Sequence, residues 1–115
     1  MLDTWMNRCV GRWVSYRGSD EVRFEIDVEG DGWVIMWGEC MEEVWLEGDW
    51  LHCGKVLRIE KVDLDTVVFW SEEGGVKFRE EIRLIHSDRY RLRQIVCYNI
   101  NGDLINCGQY FEERL

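Results

Sequence analysis

The feature that most constrains this chain is an alternation of apolar and polar residues with a period of two. Val22, Phe24, Ile26 and Val28 interleave with Arg23, Glu25 and Asp27, which gives a strand one buried face and one wet face. The pattern returns in Val76, Phe78, Ile82 and Leu84 against Lys77, Arg79, Glu81 and Arg83. Glu80 breaks the apolar side there and leaves the facing of the middle of that strand open. Further candidate strands cover 11–17, 32–38, 41–47, 50–53, 55–61, 64–71, 89–98 and 104–113. Turn formers divide them at Gly18-Ser19-Asp20, Glu29-Gly30-Asp31-Gly32, Glu47-Gly48-Asp49, Asp63, Glu72-Glu73-Gly74-Gly75 and Asn101-Gly102. Asn101-Gly102 is the strongest of these, because both residues tolerate positive φ and a type I′ turn suits the twist of paired strands. Only residues 2–9 read as a helix.

Strand segments that recur about every ten residues with hairpin-length joints make an antiparallel meander. Eight to ten strands in one small unit must stack as two sheets or close on themselves, and closure removes exposed edges. The expectation is an all-β chain, residues 1–115 forming a single antiparallel meander β-barrel with a short N-terminal helix and room inside for one small ligand. Composition agrees with one globular domain: 46% hydrophobic residues, 32% charged and no proline, so nothing marks a linker or forces a strand to break.

A net charge of −9 and a pI near 4.7 repel phosphate backbones and anionic membrane surfaces, which argues against nucleic-acid and membrane partners. The apolar runs fall short of the ~20 residues that a membrane-spanning helix needs. The N-terminus has no basic start followed by a long apolar stretch, so a soluble, cytoplasmic protein is expected. Five cysteines, Cys9, Cys40, Cys53, Cys97 and Cys107, are an odd number without a C-x-x-C pair, beside only two histidines. That composition suggests reduced thiols, and neither a disulfide framework nor a metal site. Seven tryptophans would crowd a core of this size, so some of them are expected to line a cavity or an interface.

Two stretches carry potential chemistry. Gly11-Arg12-Trp13, followed by Ser15 and Arg17, opens the first strand with the Gly-x-Trp mark of lipocalin-like (calycin) barrels, in which the Trp packs across the closed end under an Arg from a late strand; a plain core plug is an equally good reading of Trp13. In Arg89-Tyr90-Arg91-Leu92-Arg93, a period of two places three guanidinium groups on one face and Tyr90 and Leu92 on the other. Facing out, they are a solvated stripe balanced by carboxylates. Facing in, they suit fork-like binding of ligand carboxylates.

From Phe78 onward the run Phe-Arg-Glu-Glu-Ile-Arg-Leu-Ile-His-Ser-Asp-Arg-Tyr-Arg-Leu-Arg-Gln resembles a stretch of the S/U-type phycobiliprotein lyases, Glu-Glu-Arg-Ile-Trp-Phe-x-Ser-x-Asn-Leu-Arg-Leu-Arg. Glu80, Glu81, Ser87, Arg91, Leu92 and Arg93 match without a gap. Gly11 to Arg17 is similar to that family's Gly-Lys-Trp-x-Ser-x-Arg opening, and Tyr110-Phe111-Glu112-Glu113-Arg114 resembles its closing aromatic-x-Ser-Glu-Ile-Arg strand. Trp37 to Met41 echoes a Trp-Glu-Gly-x-Met segment, and Leu57-Arg58 after Gly54 a Gly-x-Leu-Leu-Arg element. The chain departs from the family in being much shorter, and Asp88-Arg89-Tyr90 replaces Pro-Asn-Leu; a trimmed barrel can bind a pigment without being able to deliver it.

The resemblance implies a lipocalin-like barrel that holds an open-chain tetrapyrrole, phycocyanobilin or phycoerythrobilin, as substrate and attaches it to a cysteine of a phycobiliprotein apo-subunit. It implies Arg91 and Arg93 for the propionates and Glu81 as the catalytic carboxylate toward the pyrrole nitrogens. Trp37, Met41 and Trp33 would form the wall, with Trp13, Arg17 and Glu112 as further ligand contacts. No tightly bound cofactor or metal is implied, and related barrels often pair into homodimers. Positioning of the bilin side chain toward the acceptor thiolate would supply most of the acceleration. Two other readings stand beside this one: a non-catalytic carrier of a fatty acid or of another tetrapyrrole such as haem, and a small interaction barrel whose tryptophans serve a partner. His52 beside Cys53 and His86 beside Ser87 have no third partner visible in the sequence, so neither reads as a nucleophile pair.

Overall fold

The structure is a computed structural model and describes residues 2–115. One helix, α1 (Leu2–Arg8), precedes ten strands: β1 (Gly11–Arg17), β2 (Asp20–Glu29), β3 (Gly32–Trp37), β4 (Cys40–Glu47), β5 (Trp50–His52), β6 (Val56–Lys61), β7 (Thr66–Glu73), β8 (Val76–Ile85), β9 (Tyr90–Tyr98) and β10 (Leu104–Arg114). Every strand pairs antiparallel with its neighbours in the chain, and β1 pairs with β10 to close the barrel. The expected all-β meander barrel with a short N-terminal helix is the observed architecture, compatible with a lipocalin-like fold.

Alternation fixes the facing of each strand. Phe24 and Ile26 on β2, Val44 on β4, Leu51 on β5, Leu57 on β6, Val67 and Phe69 on β7, and Ile82 and Leu84 on β8 form one buried cluster inside the barrel. On β8 the same parity carries Glu80 inward with Ile82, so the residue that broke the apolar pattern is an interior carboxylate.

Two turns differ from expectation. β7 starts at Thr66 rather than at 64, because the Asp63 carboxylate accepts the Asp65 amide at 2.9 Å and Val62 N donates to Thr66 O at 3.1 Å, which shapes 62–65 into a turn. The joint at Asn101-Gly102 is longer than a two-residue type I′ hairpin. Asn99 organises it: its side-chain oxygen accepts from Asn101 N and Asp103 N, both at 2.9 Å, and Gly102 alone takes positive φ, 82°. That arrangement is the longer loop in which a tight turn is followed by one left-handed residue.

α1 closes one end of the barrel. A seven-residue helix is marginal by itself, and tertiary bonds hold it. Trp5 and Met6 are buried in the core; Trp5 Nε1 donates to Asp65 O at 2.9 Å and Trp33 Nε1 to Asn7 Oδ1 at 3.0 Å. Arg8 bridges Asp65 and Asp88, each at 2.7 Å, and donates to Leu64 O at 2.6 Å. The hydrogen bond from Arg8 holds the Asp88 carboxyl below the usual carboxylate range. From β10, Arg114 donates to the carbonyls of Arg8, Val10 and Asp88. This clasp secures a turn in which His86, Ser87 and Asp88 all take positive φ, 52°, 55° and 66°, a conformation that costs non-glycine residues roughly 1–2 kcal/mol each.

Candidate functional site: the barrel interior

A cavity of about 210 Å3 occupies the barrel. It runs from Trp5, Met6 and Cys9 on α1 and the segment after it to Trp37, Glu42, Cys53 and Lys55 toward the opposite end. Most of its wall is apolar, and its charged groups come from β4, β8, β9 and the joint before β6.

Trp13 anchors the floor. Two guanidinium groups lie near its ring, Arg114 at 4.4 Å and Arg91 at 5.5 Å from the centroid, and its Nε1 donates to Cys9 O at 2.8 Å. Gly11 explains the Gly-x-Trp spacing: a Cβ there would collide with the Arg114 guanidinium, so glycine makes room for the late-strand Arg that covers the Trp. Phe24 stacks on Trp37 at 4.7 Å and also lies 5.5 Å from the Arg91 guanidinium.

Above the floor sits a chain of charges. Ser15 on β1, Glu112 on β10 and Arg91 on β9 are successive register partners across three strands, and all three are buried. Glu112 is fully buried and lies between two cations, Arg91 Nε 3.1 Å from Oε1 and Arg93 Nη1 3.2 Å from Oε2. Arg93 continues to Glu80, with Nη2 and Nε at 2.7 and 2.9 Å from Oε1. Burial works against the Arg93 charge, but Glu80 and Glu112 outweigh it and hold the guanidinium more firmly protonated than usual. The pair between Arg91 and Glu112 is close without being aligned as a hydrogen bond, and Arg91 Nε, Glu112 Oε1 and Ser15 Oγ are left as buried polar atoms without hydrogen-bond partners. Two thiols also face the cavity: burial pushes the Cys9 and Cys53 thiols up, and at Cys53 the neighbouring Glu42 adds to the effect. All five cysteines are unpaired.

Arg91, Arg93 and Trp37 line this cavity, while Trp13 and Glu112 stand directly behind Arg91. Five other expectations need correction. Glu81 lies on the outer face, 3.2 Å from Arg79, because the inward parity of β8 belongs to Glu80. Met41 points outward and is 67% exposed, since Glu42 and Val44 hold the inward positions of β4. Arg17 is exposed, its guanidinium 5.0 Å from the Tyr110 ring. Arg89 falls in the turn before β9 and is exposed, so two arginines of the stripe, not three, enter the barrel. Trp33 is buried beside Asn7, outside the cavity wall. Sequence reasoning missed Glu80, Glu42, Lys55, Cys53 and the two α1 side chains. Period two already carried the signal for Glu80 and Glu42, whereas nothing in the sequence pointed to Lys55, which sits in a turn.

The tryptophans divide by role. Trp5 and Trp37 line the cavity, Trp13 and Trp33 are buried, and Trp45 and Trp50 stand 47% exposed on the outer face. Trp70 takes the guanidinium groups of Arg58 and Arg79 at 5.7 and 5.8 Å. Among the described residues no helix is long and apolar enough to cross a membrane, and no cluster of side chains has the makings of a metal site.

Comparison with known protein families and with curated proteins gives no match. Among solved structures, a crystal structure from Nostoc punctiforme is similar, a protein of unknown function from the DUF3598 family. The TM-score is 0.63 and the identity 19%, over 96% of this chain and 49% of that one. At that identity the likeness concerns the fold, and this chain spans about half the length of its neighbour.

Proposed function

We propose that the barrel is a small-molecule carrier that takes one ring-sized, largely apolar group into its interior and receives an acidic group of that ligand at Arg91. The observation that carries this reading is an apolar cavity with a guanidinium on its wall that is more than nine-tenths buried and has an Nε without a hydrogen-bond partner. That Nε is held only by a poorly aligned ion pair with Glu112 Oε1 at 3.1 Å, so a well-aligned acceptor recovers part of the about 1–3 kcal/mol that a buried donor without a hydrogen bond costs. Size sets the class of ligand. A dry apolar cavity of about 150 Å3 takes benzene, and drug-sized ligands use roughly 300–1,000 Å3; about 210 Å3 suits one ring with its substituents.

A second reading, an open-chain tetrapyrrole delivered to a phycobiliprotein cysteine, is favoured by the inward pair Arg91 and Arg93 and by the sequence resemblance. The cyanobacterial source of the structural neighbour supports it more weakly. Two observations weigh against it. Four pyrrole rings exceed a cavity of about 210 Å3, so part of the pigment would extend through its open side. Both arginines are also already ion-paired, Arg93 with Glu80 and Glu112 and Arg91 with Glu112, so each propionate would compete with a carboxylate of the barrel. In that reading the carboxylate role passes from Glu81 to Glu80.

Quenching of Trp5 and Trp37 fluorescence tests both. The expected result is saturable binding of a one-ring carboxylate and weaker binding of its neutral amide. Arg91→Met should lower the carboxylate affinity about tenfold to a hundredfold and leave the amide unchanged. Equal binding of both ligands to both proteins would falsify the Arg91 assignment. Phycocyanobilin that binds more tightly than any one-ring ligand, and then transfers to an apo-subunit, establishes the second reading instead.

A further inference from the structure

The cavity is polarised along its length, and its two thiols gauge the difference. Toward the α1 end, burial pushes the Cys9 thiol up, and the strongest influences against that rise are the positive charges of Arg91 and Arg114. At the other end burial again raises the Cys53 thiol, but here the next influence is the Glu42 carboxylate, which adds to the rise by more than the Lys55 ammonium subtracts. Geometry agrees. β4 holds Glu42 half-buried at an inward position, and the joint between β5 and β6 comes close to it, since a Cβ on Gly54 would stand 3.5 Å from Glu42 Oε1. Of the charged side chains that line the cavity, Glu80, Arg91 and Arg93 are ion-paired. Among the described residues Glu42 and Lys55 have no such partner. Lys55 is exposed in its turn and keeps its ammonium in water, whereas Glu42 borders an apolar wall.

We propose that the ligand is amphoteric: a one-ring compound that sets its acidic group at Arg91 and a cationic amine at Glu42. This rests on the reading above, in which Arg91 receives the acid, and adds the chemistry of the ligand's other end. An apolar tail pushed against Glu42 strips water from a carboxylate and replaces it with nothing. An ammonium replaces that water with a charge-assisted hydrogen bond. A second carboxylate on the ligand meets a like charge there. The unpaired Glu42 therefore selects against fatty acids and dicarboxylates as well as for amines, and opposite charges at the two ends fix one orientation of the ligand.

Fluorescence titration of the full chain with para-(aminomethyl)benzoate and para-methylbenzoate tests this, because the two differ only in the amine. Wild type should bind the amino compound about fivefold to tenfold more tightly. Glu42→Gln, whose amide is easier to desolvate, should weaken the amino compound and tighten para-methylbenzoate until the two bind alike; a merely misfolded variant loses both. Arg91→Met should weaken both ligands. Equal binding of the two by wild type, or a preference that survives Glu42→Gln, overturns the inference and leaves the Arg91 reading standing. Failure of both ligands to bind, or indifference of both to Arg91→Met, overturns that reading and the inference with it. Loss of carboxylate binding in Lys55→Met but not in Arg91→Met shows the ligand lying the other way round and overturns both.

Discussion

The two ends of the barrel are built on opposite plans. At the α1 end the long polar side chains have assigned acceptors: Trp5, Trp13, Trp33, Arg8 and Arg114 each donate to a named oxygen, and Asp65 and Asp88 neutralise Arg8. At the other end Trp37 is half-buried, the side chains of Glu42 and Lys55 border the cavity, and the β9–β10 hairpin carries apolar residues into solvent. One end maximises satisfied bonds and the other maximises access. The charge chain from Arg91 through Glu112 and Arg93 to Glu80 lies between them, so it is sheltered from bulk water by the first and reachable by a ligand through the second. A buried ion network in such a place is weak evidence for stability, because desolvation offsets the attraction. Its presence points to binding or to a unique register.

The largest expected effect comes from the middle of this gradient. Glu112→Leu leaves Arg91 and Arg93 without their shared counter-charge and should cost about 3–5 kcal/mol, a fall in melting temperature of roughly 15 °C or more for a domain of this size. Glu112→Gln keeps the shape and should lose visibly less. If thermal melts show Glu112→Leu to be neutral, the network is solvated and the sheltering role of the α1 end is wrong.

Next come the two cavity tryptophans, one from each end. Trp5→Ala removes a buried indole and should cost about 3–5 kcal/mol, whereas Trp37→Ala, at a half-buried site, should cost about half as much. Similar losses in urea denaturation would erase the contrast between the ends.

The smallest effect concerns the clasp. Asp88 titrates below its ordinary range in the folded protein because Arg8 hydrogen-bonds its charged form. Its contribution is therefore present above the unfolded value, about 3.9, and is lost as pH falls through the folded one. Asp88→Asn should cost about 1 kcal/mol at neutral pH and almost nothing at strongly acid pH. Urea midpoints for both proteins across that range check it; a difference that persists in acid assigns the loss to the strained turn instead of to the charge.

Much of the fold was legible because period two is a local signal. Phe24 and Ile26, or Ile82 and Leu84, name their own inward face without help from the rest of the chain. The strand boundaries at 11–17 and 41–47 came within a residue of those observed. The site was legible only in part. Arg91 and Arg93 followed from the same parity, but Glu81 was chosen by similarity of motif over the parity that pointed to Glu80. Cavity size was invisible, since it depends on how far Trp5 and Met6 of α1 reach into the barrel. So was the extent of the contact between β1 and β10, because that register is set by the shear of the whole barrel and by no residue in either strand. The Asn101-Gly102 joint misled for a local reason: Asn99 competes for the same amides and wins.

That short contact has a consequence for how the chain finds its shape. Nine of the ten strand junctions unite neighbours in sequence and can form as local hairpins with little loss of chain entropy. The tenth joins residues roughly a hundred positions apart and must close a loop of nearly the whole molecule for four residue pairs. Arg114, bonded to the carbonyl of Arg8 across 106 positions, sits where that loop is tied. On this topology the late step in folding is the docking of β10 against β1. Hydrogen exchange is expected to be fastest at the same place, beginning at Tyr16 and Phe111 and reaching the arginine last.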